Sequence, residues 1–226
     1  MSHVGVYVDA KVLKVIELYA DIFASNFHSL PIGTQLELQS ARLMEAHHNR
    51  DDSVCFQIGS WHPGLAGESD ERILNYSFTL DDAKVTIARE YGFKDWNEGE
   101  SVDGRVSDVA FERAVDTMLA GRLSLLREQI RKTRALLGAR SQYGHSATLL
   151  HYAGANGVES YRQVVPLNLA AIVEYLLAAG ADQHCKANIY GGSTPRQLFE
   201  SSKHSYESRV YEDVVGVFSR HETRRR

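Results

Sequence analysis

Apolar residues fall at helical spacing along the first part of the chain. Between residues 8 and 23 they recur every three or four positions, and charged residues occupy the other face, which predicts an amphipathic helix. Pro31 and Gly33 interrupt this pattern, because proline disfavours helical backbone at the residue before it and glycine is a turn residue. The spacing then predicts a second helix from Leu36 to about His48.

The best-marked helix of the first hundred residues begins after Thr79. Thr79 is a suitable N-cap, and Asp82 stands three residues later in an acidic variant of the capping box. Gly92 suits the left-handed position after the last turn, where Phe93 can fold back on the helix. The polar, glycine-containing stretch 97–108 is predicted to be a linker.

After this stretch the chain shows internal similarity. Residues 111–130 predict two short helices that meet at Gly121. Two further helix pairs are predicted, one from 148–157 with 170–182, and one from 193–198 with 210–218. Repeated helix pairs of this length are typical of solenoid proteins.

The sequences TLLHYAGANG (148–157), IVEYLLAAGAD (172–182) and TP (194–195) resemble the ankyrin repeat. Thr148 to Gly157 spans ten positions, as that repeat requires. Thr148 and Thr194 lie 46 residues apart, 13 more than the ankyrin period, and eleven of the extra residues fall between Gly157 and Ile172. Repeats tolerate insertions at such turns.

The resemblance extends to a group of bacterial ankyrin-repeat proteins. LDDAKVTIAREYGFKDW (80–96) followed by ARSQYGHSATLLHYAGANGVESYRQ (139–163) is similar to that group. The likeness covers roughly residues 35–205 and implies an all-α fold, an ankyrin-type helical repeat solenoid preceded by a small helical domain. The expected division is a helical region at 1–100 and repeats at 108–226, namely about 111–140, 143–185 and 188–220.

Composition and charge limit the classes of function. The chain is 43% hydrophobic and 24% charged, with a formal net charge of −4, which is typical of a soluble globular protein and does not favour nucleic-acid binding. Cys55 and Cys185 form no metal-binding or disulfide pattern. Without an apolar run of membrane-spanning length or a signal peptide, we expect a cytoplasmic protein with no membrane partner.

No catalytic motif is present, and we expect no catalytic residues, cofactor or metal. His47 and His48 are adjacent on a predicted helix, so their side chains point about 100° apart and cannot both face one ion. His151 belongs to the TLLH segment, where the resemblance implies a structural role beside the turn. The resemblance assigns similar structural roles to Thr148, Gly157, Gly180, Thr194 and Pro195.

The expected partner is another protein, bound through the turns of the repeats. The candidate contact residues are Tyr143, His145, Tyr161, Arg162 and Tyr190, since tyrosine and arginine are favoured at interfaces. Tyr143 and Tyr190 occupy comparable places before successive repeats. Together they would form an exposed ridge of two aromatic side chains. The alternative is that each tyrosine braces its own turn. His145 is expected at an exposed tip, and the insertion at 158–168 is expected to add specificity.

Two other functions remain open at the level of sequence. One is an enzyme or small-molecule-binding protein whose pocket, between the helical domain and the repeats, would use Tyr143, His145, Glu159 and Arg162. The other is homo-oligomerisation through the predicted helix within 6–23, which could instead cover the first repeat.

Overall fold

The computed structural model describes residues 5–24, 26–102 and 105–223. Helices account for 62% of the residues, so the fold is all-α apart from one two-stranded sheet within these ranges. In chain order the strands and α-helices are β1 (Val6–Val8), α1 (Ala10–Leu18), α2 (Ala20–Phe23), α3 (Ile32–His48), α4 (Cys55–Trp61), α5 (Asp70–Asn75), α6 (Leu80–Glu90), α7 (Trp96–Ser101), α8 (Val109–Leu119), α9 (Leu123–Lys132), α10 (Leu149–Tyr152), β2 (Val164–Pro166), α11 (Leu169–Ala179), α12 (Pro195–Ser201), α13 (Lys203–Glu207) and α14 (Tyr211–Thr223). Among the described helices, none combines the length and the apolar character needed to span a bilayer.

The chain divides into two compact units. Among the described residues, the N-terminal unit consists of 10–24, 26–102 and 105–109 together with 159–161, and the C-terminal unit consists of 5–9, 110–158 and 162–223. The predicted linker at 97–108 is wrong in its first part, because α7 occupies 96–101. The start of the chain also departs from expectation, since the described residues 5–9 group with the C-terminal unit and not with the N-terminal helices.

The N-terminal unit is built around α3, which packs against α6 and α7. The single helix predicted over 8–23 is wrong in two respects. Residues 6–8 form a strand, and the helical stretch is divided at Tyr19 into α1 and α2. The apolar faces form a buried core, whose members include Val12, Val15, Leu36, Leu43, Ile58, Ala83 and Ile87.

The ends of α6 follow the sequence signals. The Thr79 backbone N–H donates to Asp82 Oδ2 at 2.8 Å, and the Asp82 N–H donates to Thr79 Oγ1 at 3.2 Å, which confirms the predicted capping box. At the other end, Gly92 has φ +78°. The Phe93 N–H donates to the Ala88 carbonyl at 2.9 Å, and the Phe93 side chain is buried, as predicted for a left-handed helix end.

A buried carboxyl group joins residues 159–161 to the rest of the N-terminal unit. Glu90, at the last position of α6, is buried and accepts hydrogen bonds from the Ser160 backbone N–H at 2.6 Å and from the Gln57 side-chain amide. Gln57 in turn accepts from the Tyr19 hydroxyl at 2.7 Å, and Trp61 Nε1 donates to Ser160 Oγ at 3.1 Å. The network therefore joins α4, α6 and Tyr19, between α1 and α2, to Ser160.

The C-terminal unit contains helices from α8 to α14. Helices α8 and α9 meet at Gly121, which has φ +70°, as the sequence predicts. Helix α10 packs against α12, and α11 packs against α14. Helix α11 ends at Gly180, whose φ of +107° suits a glycine C-cap. One continuous hydrophobic cluster runs through the unit, with Phe111, Met118, Leu126, Leu150, Ile172, Leu176, Leu198, Val214 and Phe218 among its buried members.

The two strands pair antiparallel within the C-terminal unit. Val6 lies opposite Pro166, and Val8 lies opposite Val164. The insertion 158–168 is partly ordered as a strand, because its second half supplies β2 and pairs with residues near the start of the chain. The same pairing makes Val6–Val8 a strand, so the proposed oligomerisation helix cannot include these residues.

Candidate protein-interaction surface

Two turns of the C-terminal unit share the same construction. In the first, the Ser141 N–H donates to the Ala147 carbonyl at 2.8 Å, and in the second, the Ala187 N–H donates to the Ser193 carbonyl at 3.1 Å. The second turn thus repeats the first after 46 residues, from 141 to 187. Each closed loop contains a residue with left-handed backbone, among them Ser146 with φ +52°. We call 141–147 the first turn and 187–193 the second turn.

A capped helix follows each turn. Thr194 caps α12, because its Oγ1 accepts the Gln197 N–H at 3.3 Å and its own N–H donates to Gln197 Oε1 at 2.9 Å. Pro195 takes the first helical position, where its fixed φ costs nothing. Thr148 caps α10 in the same way, with His151 in the place of Gln197.

His151 links the two turns. Its Nδ1 accepts the Thr148 N–H at 3.1 Å, so the ring proton must lie on Nε2. Nε2 then donates to the Ser193 carbonyl, 3.2 Å away. Burial is the main cause that lowers the pKa of His151 to about 4, which keeps the ring neutral at neutral pH. A neutral histidine held by backbone at both nitrogens is a structural connector.

Further hydrogen bonds to backbone carbonyls connect the two turns, from one backbone donor and two side-chain donors. The Asn188 N–H donates to the His145 carbonyl at 2.8 Å, and Asn188 Nδ2 donates to the Gly144 carbonyl at 3.0 Å. Arg140 Nη1 bridges the Ser146 and Lys186 carbonyls at 2.8 and 2.9 Å. Because side chains and backbone connect both turns directly, they form a single rigid edge rather than two independent loops.

Tyr190 is the exposed aromatic residue of this edge. It is 65% exposed and has a left-handed φ of +47°, and its hydroxyl donates to Asn156 Oδ1 at 2.9 Å. A Cβ added to Gly157 would lie 3.2 Å from the Tyr190 ring and 2.3 Å from Ile189 Cγ2. The Tyr190 ring therefore lies across Gly157, and much of the side chain remains open to solvent.

Tyr143 and His145 occupy different positions from those expected. Tyr143 is 2% exposed and His145 is fully buried, so the exposure expected of His145 is wrong. The His145 ring lies 5.8 Å from that of Tyr143 and 5.9 Å from that of Tyr152, and its Nδ1 accepts the Ala147 N–H at 3.1 Å. The side chain of His145 therefore accepts a backbone hydrogen bond inside the first turn. Because Tyr143 is buried, Tyr143 and Tyr190 do not form the exposed pair of aromatic residues that the sequence predicts.

Arg162 is also buried, which differs from the interface role that the sequence predicts. Its side chain is 2% exposed, and its guanidinium contacts Glu112 Oε2 at 2.5 Å and Asp116 Oδ1 at 2.8 Å. These two carboxylates lie one helical turn apart on α8, so both can form ion pairs with the same buried guanidinium. Tyr161 belongs to the other unit, where its ring centroid lies 4.2 Å from that of Phe23.

Comparison of the chain with protein-family models, curated proteins and solved structures found no match. The assignment of a role therefore depends on the geometry described above.

Two further exposed apolar residues of the C-terminal unit carry no signal in the sequence. Leu167, directly after β2, and Tyr206, on α13, are each 54% exposed. Tyr206 stacks on Tyr211 at 4.0 Å between ring centroids. Local periodicity could not reveal the exposure of Leu167, because this residue follows a strand that forms only by long-range pairing.

Proposed function

We propose that this chain is a protein-interaction module built from ankyrin-like repeats, with no catalysis of its own. The proposed contact edge comprises the first and second turns, with Tyr190 as its anchor. The observation that carries the proposal is the recurrence, after 46 residues, of the same closed turn followed by the same helix cap. Stacked repeats expose such edges on a rigid core.

Hydrogen bonds between equivalent parts of successive repeats support stacking. Their partners are separated by nearly the same number of residues each time, as expected when one repeat lies on the next. The pairs are Arg134 with Ala179 and Asn168 with Gly121, with separations of 45 and 47 residues.

The second turn has the physical properties of a binding anchor. Tyr190 offers a large aromatic face, and its hydroxyl and backbone are already held in the unbound chain. An anchor whose conformation is set before binding loses little conformational entropy on association. Tyrosines of this kind are common among residues that dominate binding energies.

The proposal is tested with three tagged versions of the full chain: wild type, Tyr190→Ala and Tyr76→Ala. Tyr76 is a suitable control, because it is 41% exposed and lies in the N-terminal unit. Proteins recovered from a native lysate are identified by mass spectrometry, and the partner is then purified for affinity measurement. Far-UV circular dichroism checks that each variant is folded.

We expect Tyr190→Ala to weaken binding of the partner by roughly fivefold or more, the effect of losing an anchor worth at least about 1 kcal/mol. Tyr76→Ala should bind as the wild type does. Equal affinities for all three proteins would refute the contact edge. Recovery of no specific protein would instead favour the small-molecule function, to be pursued by a thermal-shift screen of metabolites.

A further inference from the structure

Three side chains able to bind a metal ion meet in the C-terminal unit. Asp9 follows β1, and His204 and Glu207 lie on α13. One ligand atom from each, a ring nitrogen and two carboxylate oxygens, lies within 4.8 Å of the others. His204 and Glu207 are three residues apart on a helix, so they share one face.

The histidine of this group is buried and carries a ring nitrogen that makes no hydrogen bond. His204 is 4% exposed, and its Nδ1 has no hydrogen-bonding partner. Buried polar atoms are nearly always paired, so an unpaired one calls for an explanation such as an ion.

The surroundings of the three side chains are also consistent with a cation. The Tyr7 hydroxyl donates a hydrogen bond to Glu207 Oε2, and partners of this kind orient metal-binding carboxylates in known sites. Lys203 Nζ lies 2.8 Å from Asp9 Oδ2, and the lysine side chain is 57% exposed. Its ammonium group supplies positive charge beside Asp9 and can swing into solvent when a metal ion provides that charge instead.

We propose that Asp9, His204 and Glu207 form a binding site for a transition-metal dication of the zinc type. An imidazole nitrogen with two carboxylates suits Zn²⁺ better than Mg²⁺ or Ca²⁺, which prefer oxygen ligands. Zinc–ligand distances of about 2.0–2.2 Å place tetrahedral ligands roughly 3.4 Å apart. Small rotations of the side chains would therefore complete the site, with water in the fourth position.

An ion bound by these three residues would connect the end of β1, through Asp9, to α13. The sequence predicts no metal, because the adjacent histidines His47 and His48 cannot both face one ion and no metal-binding motif is present. The HSYE stretch from 204 to 207 provides two ligands on one helical face, but Asp9 is almost two hundred residues away and joins them only in the folded chain.

The test uses the full chain after treatment with EDTA, titrated with ZnCl₂ and, in parallel, with CoCl₂ to record absorption of the bound cobalt. The variants are His204→Ala, Glu207→Gln and Lys203→Met, and His184→Ala is the control. Glu207 and His184 are exposed, so Glu207→Gln preserves the test if His204→Ala fails to fold. Circular dichroism establishes folding in each case.

We expect one Zn²⁺ per chain, an affinity reduced at least about tenfold in His204→Ala and Glu207→Gln, and unchanged binding in His184→Ala. Lys203→Met should bind more tightly than wild type, because the competing ammonium group is gone. The bound cobalt should give the visible absorption of a low-coordinate site. Absence of Zn²⁺ binding at millimolar concentration, or equal binding by wild type and Glu207→Gln, would overturn the proposal.

Discussion

Replacing Glu90 by glutamine should change how the stability of the N-terminal unit depends on pH. Burial is the main cause that raises the pKa of Glu90 from 4.5 to about 7, and hydrogen bonds from Ser160 and Gln57 only partly oppose it. The folded chain therefore keeps the Glu90 proton to a higher pH than the unfolded chain does.

The sign and size of the effect follow from this difference. Protonation of Glu90 contributes fully to folding below the unfolded pKa of 4.5, and the contribution is lost as the pH rises through about 7. At 1.36 kcal/mol per pKa unit, the whole loss is about 3 kcal/mol, of which roughly 2–3 kcal/mol falls between pH 5 and pH 8. Glutamine cannot ionise, so Glu90→Gln lacks this loss.

The assay is urea unfolding at pH 5, 6, 7 and 8, followed by tryptophan fluorescence. The chain has two tryptophans, Trp61 and Trp96, and both lie in the N-terminal unit, so the signal reports on the unit that contains Glu90. Glu128→Gln is the control, because Glu128 lies in the C-terminal unit and its Lys132 partner lowers its pKa.

The result to compare is the difference in unfolding free energy between wild type and Glu90→Gln at each pH. The amide that replaces the carboxyl group faces two donors, so the variant is expected to be less stable at pH 5. That disadvantage should shrink by roughly 2–3 kcal/mol by pH 8. A difference that stays constant from pH 5 to pH 8 would refute the reasoning.

Three further predictions concern the C-terminal unit and are measured by urea unfolding with far-UV circular dichroism. Gly157→Ala should cost about 3 kcal/mol, because the position has φ +67° and the new Cβ would overlap Ile189; an equal stability would show that the turn relaxes freely. Arg162→Met should cost about 3–5 kcal/mol by leaving the Glu112 carboxylate buried without its ion pair, and a neutral result would mean that the carboxylate is protonated or hydrated. Thr194→Ala should cost about 1 kcal/mol and Thr194→Ser almost nothing; equal losses would remove the cap as the cause.

Local features were predictable because neighbouring residues determine them. The Thr79–Asp82 capping box forms within one turn, and it appears in the structure as the sequence indicated. Gly121 and Gly92 adopt left-handed backbone where the helical patterns end. In each case the signal and the structure lie within a few residues of each other.

Features that depend on distant parts of the chain were not predictable. The polar sequence around His145 suggested an exposed tip, but its ring is buried and lies beside the rings of Tyr143 and Tyr152. Arg162 looked available for a partner, and the two carboxylates of α8 that bury it lie 46 or more residues earlier. Nothing near Val6 indicated a strand, because its partner is Pro166.

The pairing of β1 with β2 has a consequence for the order in which the chain is completed during synthesis. Positions 9 to 163 lie between Val8 and its partner Val164, and the ribosome adds them in roughly 8–30 s at 5–20 residues per second. The helices between them can form from local contacts in that time, whereas the Val6–Val8 segment has an unpaired edge until β2 emerges. An extended segment without its partner can pair with other chains, so residues 6–8 are open to misassembly during this interval.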